Sequence, residues 1–351
     1  MSAPTIPFQP YAQTHMRTCG PGDARPTAFQ VVKDCDRIGK LKGSTILITG
    51  CSSGIGVETA RALYETGAAL FLTARNMPKL ESVINNIVAQ AENQDAPRPV
   101  AIEMHLDSLA SVRRGTEDFI AKSRGKLNIL IENAGIMACP YKTTEDGFET
   151  QFGTNHLAHF LLFQMVKSLL LRSASKSGGT SRVVVVSSAG HRYGSINFSD
   201  IHYLSDPSRY EKFGAYGQSK TANIFFASSI HRHYGKQGLT AISLHPGTIM
   251  TELVRHLEDE DVAAQGGWKS LQNIFKSPEQ GAATTVWAAV SPHFDDLANG
   301  GRYCADVGEC GPMALKPGPG AGGYSPHIYD ILGEEKLWEL SYEAVGMHKV
   351  E

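Results

Sequence analysis

Short runs of β-branched and aliphatic residues alternate along the chain with longer segments in which apolar residues recur every three to four positions. The runs fall at residues 45–49, 69–73, 100–106, 127–131, 182–186 and 239–244. Helical spacing fills the intervals, at 57–66, 80–92, 109–122, 148–172 and 216–234. Strands apolar at nearly every position, joined by crossovers of about a dozen residues or more, signal a parallel sheet covered by helices on both faces. The pattern therefore predicts an α/β fold built on one doubly wound sheet. Ser277, Pro278 and Gln280 form a helix start, with Ser277 as cap and Gln280 reaching back. A last strand at 301–305 leads into the loop GPMALKPGPGAGG and a short C-terminal helix. Residues 1–27 carry Pro4, Pro7, Pro10, Pro21 and Pro26 without lasting periodicity and read as an extended arm. The expected organisation is an arm and lead-in helix at 1–42, a core at 43–310, and a C-terminal loop and helix at 311–351.

Composition narrows the class of protein. The 351 residues include 33 basic and 35 acidic side chains, a formal charge of −2. That balance argues against a broad surface for nucleic acid or anionic lipid, which needs clustered Lys and Arg. No apolar run approaches the roughly 18 residues of a spanning helix, so no membrane anchor is expected. The first 20 residues lack the charged head and apolar stretch of a secretory signal, and the arm has one basic residue, Arg17, before Asp23. Cys19, Cys35, Cys51, Cys139, Cys304 and Cys310 are scattered without metal-ligand spacing, so reduced thiols are favoured over a Cys304–Cys310 pair. These features read as a cytoplasmic protein with no metal site.

The chemistry begins after the first strand, in ILITGCSSGIGVETA. Gly50 permits a tight turn, Gly54 lets backbone N–H groups approach an anion, and Gly56 lets the helix pack close to the strand. Ser52, Ser53 and Ile55 complete the turn. A helix N-terminus there offers unpaired N–H groups to a pyrophosphate, so the unit reads as a dinucleotide site rather than a plain corner. The second strand ends in Ala74 and Arg75, without the acid that usually meets a free ribose 2′-hydroxyl. Arg75 instead suits a 2′-phosphate, which favours NADP(H) over NAD(H).

Tyr216 and Lys220 lie four apart on a helical segment and so share a face. A tyrosine of pKa about 10 is a poor acid–base group at neutral pH. An ammonium about 4 Å away at an effective dielectric of 20 would favour the phenolate by roughly 4 kcal/mol, enough for about three pH units. The fifth strand ends in VVVVSSAG, placing Ser187 and Ser188 at the carboxyl edge of the sheet, where ligands of open α/β folds bind.

Together these motifs resemble the short-chain dehydrogenase/reductase family, with its single Rossmann-type domain. Thr49-Gly50, Gly54-Ile55-Gly56, Asn133-Ala134-Gly135, Ser188, Tyr216, Lys220 and Pro246-Gly247 occur in family order across about residues 43–310. The resemblance implies Tyr216 as the acid in reduction and base in oxidation. Lys220 would lower its pKa and hold the nicotinamide ribose, and Ser188 would orient the reacting oxygen. It further implies that Asn155 keeps a water behind the lysine and that Asp107 contacts adenine. Asn133, Ala134 and Gly135 would border the cofactor, with His245, Pro246, Gly247, Thr248 and Thr251 beside the carboxamide. The phrases NAGIMACP, TNHLAHFLL, SSAGHRYG, AYGQSK and HPGTIMTEL are most similar to the retinol-dehydrogenase and WW-domain-oxidoreductase group. So is the interval of 28 residues between Ser188 and Tyr216. Three positions depart from the family pattern: Glu132 replaces an Asn, Cys51 enters the phosphate loop, and Ser108 follows Asp107. Glu132 is expected to affect stability beneath the site.

The resulting expectation is an NADP(H)-dependent oxidoreductase interconverting a carbonyl and an alcohol on a small to medium, largely apolar substrate, in specialised metabolism. A non-catalytic NADP(H)-binding regulator is the alternative, disfavoured because a sensor need not keep Ser188, Tyr216, Lys220 and Asn155 together. An epimerase or dehydratase fits the Pro-Gly loop less well. Residues 249–275 read as a substrate-covering lid with Trp268 as an aromatic contact, and His191, Arg192 and Tyr193 as pocket or surface residues. Segments 148–172 and 216–234 are similar to helices that pair in family homodimers, which leaves the oligomeric state open.

Overall fold

The computed structural model describes residues 6–177, 179–264, 267–314 and 322–347. Ten strands are present: β1 Thr45–Ile48, β2 Ala69–Ala74, β3 Val100–Glu103, β4 Ile129–Glu132, β5 Ser181–Val186, β6 Leu239–His245, β7 Thr248–Ile249, β8 Phe275–Lys276, β9 Tyr303–Ala305 and β10 Gly308–Glu309. Eight of them form one sheet in the order β10-β9-β6-β5-β4-β1-β2-β3. Every pairing in it is parallel except β9 with β10. The winding reverses between β1 and β4, the position at which open α/β sheets bind ligands beyond their carboxyl ends. β7 and β8 pair separately as a short parallel ribbon.

Alternation along the strands explains why both faces are covered. Ile46, Ile48, Val184 and Val186 point into one apolar cluster, while Leu47, Val183 and Val185 point into the other. The first cluster takes in helices α1 (Ala28–Asp34), α2 (Ile55–Tyr64), α3 (Met77–Gln90) and α7 (Ala283–Val290). The second is aromatic, with Phe160, Phe163, Phe225, Phe226 and Trp338. It lies under α4 (Leu109–Lys122), α5 (Ala158–Ser177), α6 (Lys212–Tyr234) and the C-terminal α8 (Ile331–Ala344).

Three elements differ from the sequence expectation. The segment 148–172 is not one uniform helix: a turn at Thr150–Phe152 passes through a π turn at Gly153–Leu157 before α5 begins. Such an inserted residue is invisible to a 3.6-residue pattern. α6 starts four residues before Tyr216, because the Glu211 carboxylate accepts from the Phe213 and Gly214 N–H groups and so caps it. The described part of the arm is not simply extended. It makes a helical turn at Ala12–His15, and Phe8 exchanges N–H bonds with Glu309, covering the sheet edge at β10. Arg25, 4 % exposed, donates to the carbonyls of Ile274 and Phe275 beside β8. All six cysteines, Cys304 and Cys310 included, are free.

Candidate functional site

A cavity of about 650 Å³ opens at the carboxyl ends of the central strands and is lined on one side by residues 248–257. Its floor begins at the glycine turn. Gly50 has φ +73° and Gly54 φ +62°, values that favour glycine. A side chain at Gly50 would meet Ala134 at 2.8 Å, and one at Gly56 would meet the Gly50 carbonyl at 2.2 Å. Helix α2 therefore presses against β1 and presents a first turn without a side-chain cap to the cavity. Ser52, Ser53 and Ile55 line it there, and Thr251 stands over Gly54. Arg75 is exposed on the rim and makes no ion pair among the described residues. Asp107 is half-buried at the same end. A narrow glycine cradle and an open helix end fit the pyrophosphate of a dinucleotide.

Asn133 and Ala134 are tied to the cradle by Thr49, a contribution the sequence reading missed, and Gly135 lines the cavity beside them. The Asn133 and Ala134 N–H groups both donate to Thr49 Oγ1 at 3.0 Å. Asn133 Nδ2 donates to the carbonyls of Thr49 and Gly50 at 2.9 and 3.2 Å. Pro246, Gly247 and Thr248 border the far side of the cavity. Lys276 on β8 donates from Nζ to Asp306 at 2.7 Å and to the Pro246 carbonyl at 3.4 Å, which secures that loop.

Ser188, Tyr216 and Lys220 line the same cavity as the cradle. Tyr216 is 4 % and Lys220 3 % exposed. The tyrosine ring lies against Gly190, where a side chain would meet Cε1 at 2.7 Å, so SSAG supplies the room for the ring. Burial pushes the Tyr216 phenol up to about 12, and its hydrogen bond with Ser188 works in the opposite direction. Burial pushes Lys220 down to about 7. Burial therefore outweighs the lowering of the phenol that the lysine was expected to bring. Nζ stands 5.7 Å from the ring centroid and donates to the Val186 carbonyl at 3.0 Å, so burial outweighs attraction. Ser187, also in the cavity lining, donates to the Lys220 carbonyl at 2.7 Å, fastening α6 to β5.

Asn155 does not line the cavity. It lies fully buried beneath it in the π turn, accepting from Ile136 N at 2.9 Å and donating to Ser219 Oγ at 2.9 Å. Of the residues after the serine, Arg192 and Tyr193 reach the cavity. His191 is buried, donating to the Ser188 carbonyl at 2.7 Å and accepting from Ser325 N at 3.2 Å, neither pocket nor surface. The side chain of Trp268 lies outside the described residues.

Glu132, at the end of β4, is fully buried and neither carboxylate oxygen has a hydrogen-bond partner among the described residues. Burial raises its pKa well above the usual carboxylate range. A raised acid holds its proton in the folded state after the unfolded chain has lost it. Its contribution is full below about pH 4.3 and is lost as pH rises towards the folded pKa. Glu132→Gln removes that loss. The variant is expected to match the parent near pH 5 and to melt a few degrees higher by pH 8, on the order of 1–3 kcal/mol. Parallel melting curves between pH 5 and 9 check this; a constant difference across that range would contradict it.

The family profile described as short chain dehydrogenase matches residues 44–203. The chain is 42 % identical over 337 residues to short-chain dehydrogenase/reductase prx1 of Penicillium roqueforti, covering 96 % of this chain and 95 % of that protein. It is 36 % identical to human retinol dehydrogenase 14, covering 89 % of each. Among solved structures, an uncharacterized protein from Mycobacterium paratuberculosis superposes with a TM-score of 0.66 at 30 % identity, covering 90 % of this chain and 98 % of that one.

Proposed function

Because the chain belongs to the short-chain dehydrogenase/reductase family, a family of alcohol/carbonyl oxidoreductases, we propose that it is an NADP(H)-dependent reductase or dehydrogenase of a medium-sized, largely apolar substrate. The observation that carries this reading is the meeting of Ser188, Tyr216 and Lys220 in one cavity with an anion-binding glycine cradle. The nicotinamide supplies the hydride when bound. The protein supplies position and proton traffic. Ser188 hydrogen-bonds the reacting oxygen. Tyr216 gives its phenolic proton to that oxygen in reduction and takes it back in oxidation. Lys220, beside Gly135, holds a ribose hydroxyl, and its charge favours the phenolate as the proton leaves. Val254, Leu257, Val262, Leu271 and Phe213 line the substrate half and exclude water from it.

Purified protein assayed with NADPH against a panel of aldehydes and ketones tests the reading. Measurable turnover supports it; cofactor binding without turnover on a broad panel would favour a regulator. Among the described residues no helix is long and apolar enough to cross a membrane.

The cofactor preference rests on Arg75. Its guanidinium faces the cavity rim with no competing carboxylate and suits a 2′-phosphate. Arg75→Ala is expected to lower the NADPH-to-NADH ratio of kcat/KM by about tenfold or more, chiefly through the NADPH KM. An unchanged ratio would remove the basis for NADP(H).

A further inference from the structure

Thr49 and His159 belong to a buried hydrogen-bond chain whose donors and acceptors can be assigned at every link. Thr49 is fully buried and His159 is 1 % exposed. Thr49 Oγ1 accepts from Asn133 N and Ala134 N, both at 3.0 Å. With both acceptor sites occupied, its hydroxyl proton points to His159 Nε2 at 2.9 Å. Nε2 must then be the acceptor, so Nδ1 carries the imidazole proton and donates to the Asn155 carbonyl at 2.9 Å. Asn155 Nδ2 donates to Ser219 Oγ at 2.9 Å, and Ser219 in turn donates to the carbonyl of Tyr216 at 2.8 Å. The chain thus runs from the backbone of the glycine cradle to the residue that would donate the proton. It crosses the π turn that carries Asn155.

The surroundings keep His159 in that single state. Burial pushes its pKa down to about 4, and the Lys220 ammonium works in the same direction. His156, on the neighbouring turn, is itself pushed down to about 3 by burial. No carboxylate accompanies the imidazole in its hydrogen bonds. A neutral imidazole of fixed tautomer is a rigid bridge: it can accept at one end and donate at the other only in this orientation.

We propose that His159 is a positioning residue, a one-directional bridge from Thr49 to Asn155 that sets the π turn, and with it Tyr216 and Lys220, against the cofactor cradle. The inference rests on the oxidoreductase reading of that site. It assigns to Thr49 and His159 no contact with substrate, and loss of His159 acts on geometry and proton traffic rather than on binding.

Four variants test it: His159→Phe, Thr49→Val, Thr49→Ser and the His159→Phe/Thr49→Val double. Each is first checked for folding by melting and for NADPH binding by fluorescence. His159→Phe is expected to lower kcat about tenfold with the NADPH KM within about threefold and to shift the pH profile of kcat. Thr49→Val should change kcat and its pH profile alike and also raise the NADPH KM, because it unties Asn133 N and Ala134 N from the cradle. The double variant is expected to be no slower than the worse single, because both cuts open one chain. Thr49→Ser keeps the hydroxyl and should restore kcat to within about twofold. Should His159→Phe not fold, the Thr49→Val and Thr49→Ser pair carries the test alone. Additive losses, a pH profile superimposable on the parent, or no rescue by serine would overturn the bridge. A parent protein that reduces no carbonyl would instead overturn the reading of the site, so the two failures are distinct.

Discussion

Replacing Tyr216 by phenylalanine is expected to reduce kcat by about 10²- to 10⁴-fold, the usual contribution of a positioned proton donor. The ring packs against Gly190 and is 4 % exposed, so the fold should tolerate loss of one hydroxyl. NADPH affinity and melting temperature should change little, because the hydroxyl bonds Ser188 rather than the cradle. The direction of catalysis sharpens the test. Burial raises the phenol to about 12, so it is protonated at neutral pH and ready to donate. Reduction should therefore proceed at neutral pH and fall on the alkaline side. Oxidation needs the phenolate and should rise with pH, and both limbs should vanish in Tyr216→Phe. Turnover within about tenfold of the parent would show that another group moves the proton.

Much of this arrangement is legible in the sequence because it depends on local rules. Gly50, Gly54 and Gly56 follow a strand and open a helix, and the structure shows the close approaches that require them. Tyr216 and Lys220 share a helix face by spacing alone. Strands buried on both sides announce themselves as unbroken apolar runs. The missed features depend on residues far apart in the chain. Thr49 looks like one more strand residue until Asn133 and Ala134 arrive from β4, a separation of 84 and 85 residues. His159 reads as an ordinary polar position on α5, and only tertiary packing sets it against Thr49, 110 residues away. The arm has no periodicity because its order comes from docking, with Phe8 stacked on His293 at 4.4 Å and Arg25 bound to carbonyls near β8. The sign of the Tyr216 shift was also out of reach of spacing. Four residues on a helix fix a shared face, but not whether burial or the lysine charge dominates.

Lys220→Met should separate function from stability most clearly. Lys220 is buried with no carboxylate partner among the described residues, and burial lowers its pKa to about 7. A lowered base binds fewer protons when folded than when unfolded between that value and about 10.4, so stability rises with pH through this window. Below about pH 7 the folded protein carries the full penalty of a buried ammonium, up to about 5 kcal/mol from the shift alone. The hydrogen bond to the Val186 carbonyl offsets part of it. Methionine fills a similar volume without the charge. The variant should melt several degrees higher than the parent at pH 6, with the gain shrinking towards pH 10. Its kcat should fall at least 10²-fold, since neither the ribose hydroxyl nor the phenolate retains a cation beside it. A group kept at the expense of stability marks a site shaped for chemistry rather than folding. Thermal melts from pH 6 to 10 alongside turnover decide the matter: a less stable but active Lys220→Met protein would make the lysine a structural residue.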